Sequence, residues 1–200
     1  MAYSDFKTLS QVTSSFNLTL NETSHLFTNI NSIPASDILQ ENLRDWVPLA
    51  NAIHTEKARS ELIITPILLE VRRLFLGKIG FFSGIEFTVD PQAGLTGYCD
   101  YLLTASPEMY EISAPVFTLV EAKNENIKSG LGQCIAEMIA AQRFNQIQGN
   151  EPDSIYGAVT TGVLWKFLQL RNQVILIDLS EYYINQIDQI LGILSLPFQT

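Results

Sequence analysis

The segment VFTLVEAKNENI, Val116–Ile127, decides how this chain folds, because it begins as a buried strand and ends in charged residues. Five of its first six residues are apolar or β-branched, which predicts an interior strand. Glu121 and Lys123 then follow with only Ala122 between them. Side chains two residues apart on a strand point to the same face. We therefore expect a carboxylate and an ammonium group on one side of a core strand.

The composition is that of a chain that can bury a full core. Of its 200 residues, 46% are apolar and only 16% are charged, where an average globular protein has roughly 25% charged residues. This length fits one domain, or one domain with a helical extension. The net charge is −9, and no basic arm stands out. Such a balance argues against a tight, indiscriminate binder of nucleic acid, which needs many lysines and arginines.

The sequence gives no sign of a membrane or secretory protein. The longest apolar windows, residues 62–69 and 174–179, are too short to span a bilayer. The first residues lack the charged-then-apolar order of a signal peptide. Cys99 and Cys134 form no CxxC pair, and two thiols are too few for a disulfide scaffold. We therefore expect a cytoplasmic protein without a membrane partner.

The periodicity of apolar residues predicts a helical first third followed by alternating strands and helices. Ser36 is placed to cap the helix over residues 37–53, and Pro66 to kink or break the next one. The segment 165–178 is predicted as one strand or as two. The predicted helices span residues 5–12, 37–53, 56–76, 127–145 and 181–194, and the predicted strands span 84–90, 97–104, 116–124, 154–162 and 165–178.

This order predicts an α/β fold with a mixed central sheet flanked by helices. The first three strands are joined by turn-rich segments and are expected to form an antiparallel meander. The helix after the third strand makes a crossover, which lets the strands on its two sides run parallel. Residues 1–53 are expected to be a helical extension packed on the core, and residues 54–200 to be the principal domain.

Asp100 is a second charged residue in an apolar strand, because it stands between Cys99 and Tyr101. An ionised carboxylate is costly to bury unless it is paired or bound to a metal. If the two strands pair, Asp100 and Glu121 lie side by side, and a divalent hard cation would relieve their repulsion. These are the parts of a metal-assisted phosphodiester hydrolase. The plain alternative is that Glu121 and Lys123 form a salt bridge at a strand end.

The combination of Asp100, the Glu121–Lys123 segment and Gln133 early in the next helix resembles the PD-(D/E)xK nuclease superfamily. That superfamily has the restriction-endonuclease-like fold with an αβββαβ core. The segments GLGQCIAEMIAAQ (130–142) and YGAVTTGVLWKFLQL (156–170) look similar to parts of the nuclease domains of type I restriction subunits. The resemblance covers about residues 54–170. It implies a Mg²⁺-dependent endonuclease that hydrolyses DNA, in which Mn²⁺ substitutes for Mg²⁺.

The resemblance also implies a role for each matching residue. Asp100 and Glu121 would hold the metal together with the backbone carbonyl of Ala122. Lys123 would activate a water molecule, and Gln133 would position that water or the phosphate. The residue before Asp100 is a cysteine where the family often has proline.

A further acid from the first core helix often completes the metal site in this family, and Glu56 and Glu61 compete for that place. On a helical wheel Glu56 falls within the apolar stripe and Glu61 at its edge, so Glu56 is favoured. Both acids could also be solvated residues of the helix surface. Gln133 has a plain alternative as well, as a polar residue on an amphipathic helix. Glu137 would share its face, so that both could line the mouth of the pocket.

Other functions remain open at this point. Low basic content favours a catalytically silent module that keeps the fold for assembly or DNA docking, with a protein partner supplying positive charge. A small-molecule metal hydrolase would differ in having a narrow closed pocket. The apolar C-terminal stretch at 190–198 fits docking on the sheet or a homodimer contact. His25 and His54 form no metal-ligand cluster, so zinc is not expected.

Overall fold

The computed structural model describes residues 1–23, 25–27 and 29–199. It is an α/β structure in which helices cover both faces of a mixed eight-stranded sheet. The strands are β1 (Thr19–Thr23), β2 (Gly80–Glu86), β3 (Tyr98–Thr104), β4 (Val116–Ala122), β5 (Ile155–Thr160), β6 (Leu164–Arg171), β7 (Val174–Asp178) and β8 (Tyr182–Tyr183). The α-helices are α1 (Leu9–Phe16), α2 (Asp37–Ile53), α3 (Glu56–Arg59), α4 (Thr65–Leu74), α5 (Ile127–Ile147) and α6 (Ile187–Ser195).

The sheet has the strand order β1-β7-β6-β5-β4-β3-β2, with β8 pairing to β6. Strands β2, β3 and β4 form the predicted antiparallel meander. Helix α5 connects β4 to β5, and these two strands run parallel, as the crossover predicted. The segment 165–178 forms two strands, β6 and β7, joined by a tight turn at residues 172–173. Strand β4 therefore lies in the middle of the sheet, where its carboxyl end is bordered by β3 and β5.

Two apolar cores lie on the two faces of the sheet. On one face, Leu102 of β3 and Leu119 of β4 pack with Cys134 and Ile135 of α5. On the other face, the core combines α2, α4 and α6 with the opposite side of the strands. The apolar end of the chain contributes to this second core through Ile190, Leu191 and Leu194, which are buried. Docking on the sheet, one of the two predicted roles for this stretch, is therefore observed.

The predicted helix at 56–76 is one continuous helix from Glu56 to Leu74, with a π turn at Ser60–Ile64. In the π turn, the Thr65 amide donates to the Ser60 carbonyl, five residues back. Pro66 follows at once and has no amide hydrogen to donate. The break predicted at the proline is thus a wider turn on its N-terminal side, and the helix continues beyond it. A π turn adds one residue to the helix, which rotates everything before it relative to everything after it.

The N-terminal third differs from the prediction of a purely helical extension. Strand β1 lies within residues 1–53 and pairs in parallel with β7. Its sequence, TLNET, lacks the alternation of a half-buried strand, because nearly all of its residues are exposed at the sheet edge. The piece predicted at 5–12 is instead a short 3₁₀ turn followed by α1. The predicted Ser36 cap is confirmed, since its hydroxyl accepts from the Leu39 amide at 3.3 Å.

Two further boundaries differ from the prediction. The strand predicted at 84–90 begins at Gly80, because the two phenylalanines after it pair with β3. The closing helix predicted from residue 181 begins at Ile187, because Tyr182 and Tyr183 pair with β6 as strand β8. In the described part of the chain, no helix combines the length and apolar character needed to cross a membrane.

Candidate active site

Strands β3 and β4 bring Asp100 and Glu121 side by side. The antiparallel register pairs Tyr101 with Val120 and Leu102 with Leu119. Continuing that register by one residue puts Asp100 opposite Glu121, and residues opposite each other in an antiparallel pair share a face. This face is the one covered by α5, since Leu102 and Leu119 belong to the core on that side. Two acids from neighbouring strands therefore meet beneath a helix.

The Asp100 carboxylate continues the contact between the two strands where their ladder ends. The backbone amide of Ala122 donates to Asp100 Oδ2 at 2.8 Å. Burial raises the pKa of Asp100, although this amide and the nearby Lys123 ammonium both favour the ionised form. The hydrogen bond fixes the Asp100 carboxylate against the end of β4, so the relative position of the two acids is set by the backbone.

Glu121 is almost fully buried, and its two carboxylate oxygens have different surroundings. The Lys123 ammonium donates to Oε1, whereas Oε2 is buried and has no hydrogen-bond partner in the described structure. Burial, and next the charge of Asp100, raise the pKa of Glu121 to about 8 in spite of the lysine. A buried acceptor without a partner is destabilising, so this oxygen is a place where a proton, a water or a cation would be stabilised.

Lys123 lies at the carboxyl end of β4 and is held at both its backbone and its side chain. Its amide donates to the Thr160 carbonyl at 2.8 Å, and its side chain is one-fifth exposed. A Cβ on Gly130 of α5 would approach Val159 Cγ1 of β5 to 2.7 Å and Lys123 Cε to 2.9 Å, so glycine lets the helix lie close over this end of the sheet. Burial alone would lower the pKa of Lys123, but Glu121 and the other nearby acids raise it overall. The side chain therefore stays an ammonium ion.

Gln133 reaches this cluster through Glu137, one turn further along α5. Gln133 Nε2 donates to Glu137 Oε1 at 3.1 Å, while Glu137 Oε2 is buried without a described partner. Glu137 is fully buried, and burial followed by the charge of Glu121 raises its pKa well above the ordinary range. The sequence prediction placed Glu137 beside Gln133 as a second residue for the mouth of the pocket, not as a buried acid beneath the sheet. An acid in the middle of the apolar run CIAEMIAA was the signal that could have found it.

Glu56 and Glu61 both lie near Asp100, but both are exposed. The expectation that Glu56 falls within the apolar stripe is wrong, because the stripe was extrapolated across the π turn. One extra residue rotates the helix by about 100°, which moves Glu56 off the buried face. Glu56 nevertheless contributes to raising the pKa of Lys123. Glu61 forms an ion pair with Lys57 at 2.6 Å instead.

A cleft of about 260 Å³ opens beside Asp100, between the π turn and strand β2. Its lining combines hydroxyl groups with acids, and one lysine. The residues that line it are Glu56, Lys57, Ser60, Glu61, Thr65, Ser83, Gly84, Asp100 and Tyr101. The Tyr101 hydroxyl donates to the Ser60 carbonyl at 3.0 Å, which ties the π turn to β3. Asp100 lines the cleft, whereas Glu121 does not, so solvent or a ligand in the cleft reaches the acid pair on its Asp100 side.

The donor set fits a hard divalent cation in part. Asp100 and Glu121 supply adjacent carboxylates, and the unpartnered Glu121 Oε2 is an oxygen that a cation would satisfy. Within the described ranges, no three histidine, cysteine or acidic side chains are grouped so that they could hold a metal. The other ligands would have to be the Ala122 carbonyl and water. Mg²⁺ suits such a set, because it commonly keeps several waters and takes only one or two carboxylates.

Comparison with protein-family models found no match to this chain, and comparison with curated proteins found none either. The case for a function therefore rests on the arrangement of these side chains. Three features carry it: two acids placed together by the strand register, an ammonium ion on one of them, and a cleft beside the other.

Proposed function

We propose that this chain is a Mg²⁺-dependent deoxyribonuclease with the restriction-endonuclease-like fold, in which Mn²⁺ substitutes for Mg²⁺. The observation that carries the proposal is the pairing of Asp100 with Glu121 at the end of β3 and β4, with the Lys123 ammonium on Glu121. A buried acid, a half-buried acid and a lysine at one point of an apolar sheet are destabilising unless they serve a function.

The order of elements around the site supports the same proposal. The helix formed by α3 and α4 is followed by β2, β3 and β4, then by α5 and β5. This is the order of an αβββαβ core, and the parallel pairing of β4 with β5 fits its crossover. The acids lie on the second and third of these strands, which are the positions that the resemblance implies for Asp100 and Glu121.

Each residue has a chemical task in this proposal. Asp100, Glu121 and the Ala122 carbonyl would hold the cation, which, when bound, polarises a phosphoryl oxygen and acidifies a bound water. Lys123 stabilises negative charge that develops at the phosphate or orients the attacking water. Gln133 donates a hydrogen bond to Glu137 and so fixes Glu137 beside the Glu121 carboxylate. Glu56 acts from the cleft side, where its charge favours the ionised Lys123.

A catalytically silent module is the second candidate, and one observation favours it. Lys123 already has a partner in Glu121, and Lys57, the lysine of the cleft, is paired with Glu61. Both ammonium groups thus already contact acids of the chain itself, which leaves them less available to attract a phosphate. In this alternative the Glu121–Lys123 pair would be a structural salt bridge.

Calorimetric titration with Mn²⁺ and a cleavage assay on DNA distinguish the two candidates. A nuclease should bind the cation and cut DNA, and Lys123→Ala should lower the cleavage rate by about 100-fold or more. The exposed Lys128 on the first turn of α5 provides the control, and Lys128→Ala should cut at the parent rate. Asp100→Asn keeps an oxygen for the Ala122 amide but removes a charge, so it should abolish cation binding in a folded protein. A parent protein that binds no divalent cation would refute the nuclease.

A further inference from the structure

Strand β2 forms one edge of the sheet, and Gly84 is its fifth residue. An edge strand carries backbone amides and carbonyls that no neighbouring strand uses. Gly84 has a φ of +60°, in the left-handed region, and lies across from Asp100, because Ser83 pairs with Tyr101 and Ile85 with Cys99. A glycine in a strand commonly marks a bulge or a place where another backbone comes close.

The space around Gly84 shows that packing does not demand the glycine. A Cβ placed there would meet no described atom within 4 Å. At Gly80 of the same strand, a Cβ would approach Thr104 Oγ1 to 2.4 Å, so that glycine is required by its neighbours. The left-handed φ accounts for the glycine at position 84, and its lack of a side chain leaves backbone of β2 exposed beside Asp100, on the wall of the 260 Å³ cleft.

The size and charge of this cleft select among phosphodiester substrates. A volume of 260 Å³ lies just below the range of about 300–1,000 Å³ in which pockets enclose drug-sized ligands, so it suits one nucleotide unit at a time. Three acids line it, and its single lysine is paired. Each phosphate near these acids is repelled, and a duplex brings the phosphates of two strands. Hydroxyl groups and free backbone amides remain as the groups that can hold a phosphate.

We propose that the cleft binds one single strand of nucleic acid, whose sugar–phosphate backbone passes over Gly84 next to Asp100. This inference rests on the proposed nuclease function and names its substrate class. Ser83 and the β2 backbone contact the strand on one side, and the hydroxyls of Ser60 and Thr65 contact it on the other. Gly84 acts as a specificity-determining position, because any side chain there occupies the path of the strand.

Binding of labelled oligonucleotides, followed by fluorescence anisotropy, tests this proposal. The measurements use protein that carries Lys123→Ala in every sample, with Mn²⁺ present, so that the strand stays intact. Gly84→Asn is the informative change, because asparagine tolerates the left-handed backbone better than other residues with a side chain. Gly149 is a matched control, with a φ of +73° and no described atom within 4 Å of an added Cβ. It lies after α5, away from the cleft.

We expect Gly84→Asn to weaken single-strand binding by about tenfold and Gly149→Asn to change it by less than about twofold. The protein that keeps Gly84 should bind a single strand about tenfold more tightly than the matching duplex. Equal affinity of the two variants, or tighter binding of the duplex, would overturn the inference. The comparison of single strand with duplex still tests the inference if the Gly84→Asn protein does not fold. Failure of the nuclease proposal is separate, since it appears as absent cation binding in the parent chain.

Discussion

Glu121 of β4 and Glu137 of α5 lie close enough for each to affect the pKa of the other. Their buried oxygens, Glu121 Oε2 and Glu137 Oε2, have no donor in the described structure unless one of the two acids carries a proton and shares it with the other. They come from a strand and a helix that pack face to face. Gln133 donates to Glu137 Oε1, and Lys123 donates to Glu121 Oε1. Glu121 Oε2 and Glu137 Oε2 are therefore the oxygens left at the interface between the strand and the helix.

Replacing Glu137 by glutamine should stabilise the protein. The glutamine carbonyl can still accept from Gln133, and its amide can donate to the unpartnered oxygen of Glu121. Satisfying a buried acceptor and removing a buried acid should raise the free energy of unfolding by about 1–2 kcal/mol at pH 8. For a chain of this size, that is a rise in Tm of about 2–8 °C, measurable by calorimetry or circular dichroism.

Glu111→Gln is the control for this change, because Glu111 is exposed. It should leave Tm within about 1 °C of the parent value, since surface substitutions rarely have a larger effect. A lower Tm in Glu137→Gln would show that the acid is stabilising as it stands, and that the two carboxyl groups already share a favourable contact.

Stability without a cation should fall as pH rises from about 5 to 8. Glu121 has a folded-state pKa of about 8, above its ordinary 4.5, so the folded protein binds more protons than the unfolded chain between these values. The stability that comes from the protonated acid is complete below the lower value and lost as pH passes the upper one. One such group changes the free energy of unfolding by up to about 1.4 kcal/mol per pH unit.

A cation should reverse this trend, because it binds the ionised carboxylates. Thermal melts with and without Mn²⁺ should therefore show a rise in Tm that is larger at pH 8 than at pH 5.5. Glu121→Gln should flatten the pH dependence without metal and remove the shift caused by Mn²⁺. A Tm that rises with pH in the metal-free parent would contradict the buried, protonated state of Glu121.

The central sheet and the two strand acids were predictable from the sequence, for a physical reason. Strands β3 and β4 are apolar runs in which a single charge is conspicuous, so Asp100 and Glu121 are visible against their neighbours. Their alignment could be expected as soon as the two strands were assumed to pair. The actual register depends on contacts along the whole ladder, and only the structure shows that it puts these two residues opposite each other.

The exposure of Glu56 and the pairing of strand β1 could not be predicted, because they depend on local deviations from regular patterns. The π turn at Ser60–Ile64 shifts the helical phase, which placed Glu56 on the wrong face in the prediction. Strand β1 carries no alternation, since it is held by backbone pairing to β7 at an exposed edge. Glu137 was predicted as a neighbour of Gln133, but the sequence does not show that the N-terminal segment covers α5, where Tyr3 lies close enough for the charge of Glu137 to raise its pKa.

Asn145, near the end of α5, should be the most sensitive polar residue outside the site. It is fully buried, its Oδ1 accepts from the Val116 amide at 2.7 Å, and its Nδ2 donates to the Val116 carbonyl at 2.8 Å. This pair of bonds fixes the start of β4 against α5, and thereby the strand that carries Glu121.

Asn145→Ala leaves a buried amide and carbonyl without partners, which should lower the free energy of unfolding by about 2–4 kcal/mol in urea titrations. Gln146→Ala, at the exposed neighbouring position, should change it by less than about 0.5 kcal/mol. Equal effects of the two substitutions would show that β4 is held in place by its apolar contacts alone.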